Sequence, residues 1–226
     1  MFRSFSRIGF VGAAALLLSV SVFAEEAKTK GDPYSLSVCP VSGEPLGTMG
    51  DPIIAAHGER EVRFCCSGCP KQLTAAPAKF LSKIDALMTA DQVKHYPLKT
   101  DVVSGKELGE KPVDLIHNNR LVRLGGESSV AKFKAEPDAY IAKLDAAVIA
   151  KQSEKYPFKV CVVSGEELGG DHGKVLNKVV ANRLVRFCCD NCAKELNATP
   201  AKFIAMVDNR NLNATGGAVA GSTTKH

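Results

Sequence analysis

Eight cysteines in a chain of 226 residues fall into two groups of four with nearly the same spacing. Cys39 precedes Cys65-Cys66-Ser67-Gly68-Cys69 with 25 residues between, and Cys161 precedes Cys188-Cys189-Asp190-Asn191-Cys192 with 26. Each group holds overlapping C-x3-C and C-x2-C pairs plus one distant sulfur. Such sets converge on thiophilic cations: Zn²⁺ takes about four ligands, about 2.3 Å from sulfur and nearly tetrahedral, and Cu⁺ also selects soft sulfur. Thiols at the start of a helix ionise more readily, which favours the thiolate that binds metal. The competing reading is structural disulfides in an oxidising compartment. Adjacent Cys65 and Cys66 are strained as a pair, but Cys39 can reach one of the trio. Spacing alone leaves both open.

The elements that must position these sulfurs recur three times. Tyr34, Tyr96 and Tyr156 open units 62 and 60 residues apart, each continuing to a Ser-Gly turn at Ser42-Gly43, Ser104-Gly105 and Ser164-Gly165. Val62-Arg63-Phe64, Val122-Arg123-Leu124 and Val185-Arg186-Phe187 align next, and Pro77, Pro137 and Pro200 begin the closing segments. This divides the chain into unit one (34–92), unit two (93–152) and unit three (153–208), flanked by a polar leader (25–33) and a tail (209–226) expected to be disordered. Unit two carries Asp101, Gly125, Gly126 and Ser129 at the four cysteine positions while keeping the turn and the closing segment. Loss of all four together indicates that they act as a set.

Each unit is expected to be α+β: a knuckle, a β-hairpin and short helices. In unit one Pro52–Ala56 and Glu61–Phe64 flank a tip at His57-Gly58-Glu59; in unit three Lys174–Val180 precedes Leu184–Phe187. Cys69–Leu73 and Cys192–Leu196 read as short helices. Thr199-Pro200 reads as an N-cap followed by Pro at the first helical position. Phe80 with Ile84, and Phe203 with Val207, lie four apart on single helix faces. Units of about 60 residues are marginal without a staple. Unit two, lacking one, is expected to lean on its neighbours through Leu121, Phe133, Tyr140 and Leu144.

The motifs resemble the TRASH and YHS group of small metal-binding domains. Cys39-Pro40-Val41-Ser42-Gly43, Phe64-Cys65-Cys66-Ser67-Gly68-Cys69 and Pro77-Ala78-Lys79-Phe80-Leu81 carry the likeness in unit one. Cys161, Phe187 to Cys192 and Pro200 to Ile204 carry it in unit three. The resemblance implies three tandem treble-clef-like units and heavy-metal handling. Cys39, Cys65 and Cys69, and Cys161, Cys188 and Cys192, then occupy ligand positions, with Cys66 and Cys189 as candidate fourth ligands. Zn²⁺ is the expected ion, alternatively Cu⁺.

Arg3 and Arg7, the apolar stretch Ile8 to Val20 and Val22-Phe23-Ala24 form a signal-peptide layout with cleavage expected after Ala24. The mature protein is then periplasmic or secreted and free of the membrane. A balance of 29 Lys+Arg against 24 Asp+Glu gives no footprint for nucleic acid. His57, at the hairpin tip, is matched by His117 in the unit without cysteines, which favours a turn role over ligation. His172 is assigned to a loop, and Ser42, Ser104 and Ser164 are assigned to the turns. No catalytic grouping stands out, and the surroundings of the C-x2-C pairs lack a thioredoxin-like βαβ pattern. The expected function is an exported, non-enzymatic metal buffer, carrier or sensor whose partners are metal ions and, where it acts as a carrier, another exported protein. The alternatives are a scaffold stapled by Zn²⁺ or disulfides and, more weakly, a thiol-redox protein.

Overall fold

The computed structural model describes residues 29–171 and 173–214, the last four as backbone only. The expected signal peptide, His172, His226 and the end of the tail lie outside these residues. The described chain is mixed α+β, with six α-helices and three two-stranded antiparallel sheets. None of its helices is long and apolar enough to cross a membrane.

The repeat is a repeat of structure. Unit one has β1 (Ile53–His57), β2 (Arg60–Phe64), α1 (Cys69–Ala75) and α2 (Pro77–Gln92). After a 3₁₀ turn at Val93–His95, unit two has β3 (Val113–His117), β4 (Arg120–Leu124), α3 (Glu127–Ala135) and α4 (Pro137–Ser153). Unit three has β5 (Leu176–Val180), β6 (Arg183–Phe187), α5 (Asp190–Ala198) and α6 (Pro200–Ala214). The hairpins share one register, with Ile53 opposite Phe64, Val113 opposite Leu124 and Leu176 opposite Phe187.

The two-residue hairpin tips are tighter than the three-residue tip expected in unit one. Asn118 and Asn119 have φ of 43° and 71°, and Ala181 and Asn182 have 50° and 60°. Two successive positive values match the twist of a hairpin, and Asn tolerates them best. Ala181 does not, so something else must hold it there.

Thr199 stands directly before α6, which begins at Pro200 as expected, but its hydroxyl turns back to the preceding helix. The residue ends α5, with that hydroxyl donating to the Glu195 carbonyl at 3.4 Å. The tail boundary at residue 209 also shifts, because α6 continues to Ala214. Once a helix is nucleated each further residue adds one hydrogen bond, and the Arg210 guanidinium lies 5.9 Å from the centre of the Phe158 ring.

Each unit has its own apolar core, and in unit two the residues expected to lean on the neighbouring units instead pack within the unit, against Tyr96, Val122 and Leu124. Leu121, Phe133 and Leu144 are fully buried, with Tyr140 packed against them. Burying a side chain such as Phe133 contributes roughly 2–3 kcal/mol. Phe80, Ile84, Phe203 and Val207 face inward as their spacing indicated.

The units are joined by repeated polar devices. Gln92, at the end of α2, donates to the Asn119 carbonyl at 2.8 Å and accepts from the Leu121 N–H at 2.8 Å. Gln152, in α4, does the same to Asn182 at 2.9 Å and Leu184 at 2.8 Å. Arg60, Arg120 and Arg183 each begin the second strand of a hairpin and reach an aspartate on the closing helix of their own unit: Asp85, Asp145 and Asp208. Units one and three also meet directly, since Arg63 donates to the carbonyls of Asn197 and Ala198 at the end of α5.

The leader is part of this junction. Asp32 is 8% exposed and pairs with Arg120 through both carboxylate oxygens, at 2.6 and 2.7 Å. The same carboxylate accepts from the Ala181 N–H at 2.6 Å, which accounts for the left-handed backbone there. Residue 31 must be glycine: its φ is +84°, and a Cβ would lie 2.6 Å from the Asn118 Cβ.

Candidate metal sites

Three local features deliver the sulfurs. The first is the knuckle. The Cys39 N–H donates to the Glu44 carbonyl at 2.8 Å, and the Gly43 N–H returns to the Cys39 carbonyl at 2.8 Å. The same pair of bonds recurs at Cys161 and, in unit two, at Asp101. The second is the hairpin, whose last strand ends just before Cys65 or Cys188. The third is a helix start, which supplies Cys69 in α1 and Cys192 in α5.

Cys39, Cys65 and Cys69 form a buried group with every sulfur within 4.8 Å of the others, and Cys161, Cys188 and Cys192 form a second. The Cys65–Cys69 sulfur distance is 3.8 Å and that of Cys188–Cys192 is 3.7 Å. A tetrahedral ion about 2.3 Å from each sulfur needs sulfurs about 3.8 Å apart. The donor sets therefore fit a thiophilic metal. All eight thiols are free.

Cys66 and Cys189 are placed differently. Each is partly exposed and makes its thiol contact with the last cysteine of its group, at 3.5 Å from Cys69 and 3.7 Å from Cys192. The groups of mutually close sulfurs contain three members and do not include them. His57 ends β1 beside the tip and is absent from both groups; His117 packs edge-on against Phe133, with ring centres 5.3 Å apart.

The protonation pattern is prepared for cation binding. Burial pushes the Cys39 thiol up, but the Ser42 hydroxyl and the backbone of Ser42, Cys65 and Val41 outweigh it and bring it down to about 6. Cys161 is likewise brought down to about 6 against its burial, by the backbone of Ser164 and Cys188 and by the Ser164 hydroxyl. Cys192 moves the other way, to about 12, through burial and its hydrogen bonds to the neighbouring thiols, and Cys69 is raised for the same reasons. Each site thus pairs a thiol that ionises readily, Cys39 or Cys161, with one, Cys69 or Cys192, whose proton a bound cation would displace. Cys66 is lowered first by the Gly68 N–H and Cys189 first by the Cys192 N–H, as expected where a helix begins.

The turn serines have a role that spacing did not disclose. Ser42 Oγ lies 3.2 Å from Cys65 Sγ and Ser164 Oγ lies 3.3 Å from Cys188 Sγ, while both still accept a backbone N–H of the turn. Cys188 Sγ also contacts a Glu166 carboxylate oxygen at 3.3 Å. The signal was present, since these residues sit three and five positions after the knuckle cysteine, but the turn accounted for them fully.

Unit two fills the same space with a carboxylate. Asp101, 1% exposed, accepts the Val103 N–H at 2.8 Å, the Ser104 N–H at 3.3 Å and the Gly125 N–H at 2.9 Å. Glycine at 125 leaves room, because a Cβ there would stand 3.2 Å from the Asp101 carboxylate. Burial pushes Asp101 up, but hydrogen bonds from Ser129, Gly125, Val103 and Ser104 prevail and hold it below the ordinary aspartate range.

A carboxyl depressed by folding lends stability that is complete above its unfolded value, near 3.9, and disappears as pH falls through the folded one. Amide exchange at Val103 and Gly125 is therefore expected to accelerate selectively in acid below about pH 4. Asp101→Ala is expected to cost about 3 kcal/mol at neutral pH by stranding these donors. A chemical denaturation midpoint unchanged in Asp101→Ala would refute the staple.

No family model, curated protein or solved structure matches this chain.

Proposed function

We propose that this protein is an exported, non-enzymatic buffer or carrier of thiophilic metal ions, Zn²⁺ or Cu⁺, held in two sites built on TRASH- or YHS-like treble-clef units. The two matching buried sulfur groups, Cys39/Cys65/Cys69 and Cys161/Cys188/Cys192, carry this reading. Bound there, the ion would be held by thiolates and supply no bond-making chemistry. Cys66 and Cys189 are the candidates for a fourth sulfur.

Unit two favours metal handling over a purely structural staple. Asp101 joins the same knuckle, hairpin end and helix start by hydrogen bonds alone. A unit of this design can be closed without metal, so the thiols of units one and three are retained for the ion itself. The 3.5 Å approach of Cys66 to Cys69 favours a second reading, a disulfide formed in an oxidising compartment.

Transfer to a chromophoric chelator tests buffer or carrier against staple. A buffer or carrier yields its metal at a rate that rises with chelator concentration. A staple yields it only on unfolding, at a rate independent of chelator, and that result would overturn the proposal.

A further inference from the structure

Away from the sulfur groups, a cavity of about 540 Å³ opens where the two joining segments meet unit three. Its size lies in the range of small-molecule sites. Lys94 and His95 approach from the first joining segment, and Lys151 and Lys155 from α4 and the segment after it. Arg183 also contributes to the wall, but its guanidinium is engaged by Asp91 at 2.8 Å and by Asp208 at 3.0 Å. That cluster carries one net negative charge, which the three ammonium groups outnumber.

The ammonium groups are incompletely used. Lys94 comes no closer than 4.0 Å to Asp91, Lys151 donates to the Pro97 carbonyl at 3.1 Å, and Lys155 forms no ion pair among the described residues. His95 Nε2 is buried and has no hydrogen-bond partner; the Asp208 carboxylate is 3.7 Å away. A buried polar atom without a partner marks a place where a ligand or water belongs. The remaining wall includes Tyr96, Tyr156, Pro157 and Val207. The hydroxyls of both tyrosines bond the backbone, at Arg123 and Arg186, so their rings serve the cavity as apolar surface.

We propose that this cavity binds a small organic anion, with its acid group met by Lys94, Lys151, Lys155 and His95 and its apolar body against Tyr96, Tyr156 and Val207. A phosphate ester and a carboxylate share this chemistry. Titration calorimetry of the full chain with phenyl phosphate and with benzoate distinguishes them, with inorganic phosphate as the probe lacking a body.

The expected result is saturable one-to-one binding of at least one aryl anion, tighter than inorganic phosphate. The double variant K94Q/K155Q alters two exposed side chains outside the metal groups and should weaken that binding about tenfold while leaving the metal content unchanged. Absence of saturable binding, equal affinity for inorganic phosphate, or unchanged affinity in K94Q/K155Q would overturn the proposal.

Discussion

Cys39→Ser is expected to empty the first site and to loosen residues 34–88 as a block, while the second site keeps its metal. Cys39 lies fully buried at the knuckle, with 25 residues between it and its partners. A ligand that closes so long a loop orders more chain than one within a C-x3-C pair. Metal binding in a unit this small is coupled to its folding. Loss of a group that merely orients a ligand weakens metal binding about 10–100-fold, so loss of this ligand should exceed about 100-fold. Hydrogen exchange should rise through β1, β2 and α1 and stay unchanged in α5.

Cys66→Ser should be milder, because Cys66 is partly exposed and stands outside the three-sulfur group. If Cys66→Ser abolished binding while Cys39→Ser was tolerated, the adjacent trio Cys65/Cys66/Cys69 would be the site and the assignment here would be wrong.

Asp32→Ala is expected to be among the most destabilising single changes in the protein, although residue 32 precedes the first repeat. Arg120 is buried between Asp32, Asp145 and the Val179 carbonyl. Removing one partner of a buried pair typically costs 3–5 kcal/mol, because the remaining charge stays where water cannot reach it. Ala181 would lose its acceptor at a strained backbone position in the same step. The denaturation midpoint should fall by about that energy, and Gly31→Ala should fall with it through the clash at Asn118. A midpoint within about 0.5 kcal/mol of the parent in Asp32→Ala would mean that the leader is not part of the fold.

The contrast between these variants follows what a linear sequence can display. The repeats, the presence of the hairpins, the inward helix faces and the cysteine groups were legible because each is local or recurs at a fixed interval. The Arg–Asp pairs at Arg60/Asp85, Arg120/Asp145 and Arg183/Asp208 were legible in principle, since both residues recur 25 positions apart in all three units. Nothing else in the sequence marks them as partners. The Asp32 clasp and the bonds from Arg63 to α5 have no such signal. Each occurs once and joins residues 88 to 149 positions apart, so only the packing of whole units brings them together. The Asp101 staple was visible as a missing cysteine set, but its replacement by hydrogen bonds required knowing where the Gly125 N–H points. Tip lengths were misplaced by a residue because the strands stay paired right up to the turn, at His57 with Arg60 and at Val180 with Arg183.

Native mass spectrometry of the full chain, with and without reductant, tests the central claim most directly, since it counts metal ions and disulfides in one spectrum. The expected result under reducing conditions is two equivalents of a thiophilic metal per chain, one each with Cys39/Cys65/Cys69 and Cys161/Cys188/Cys192, falling to one in Cys39→Ser. A third equivalent held by unit two, or no metal on the reduced protein, would contradict it.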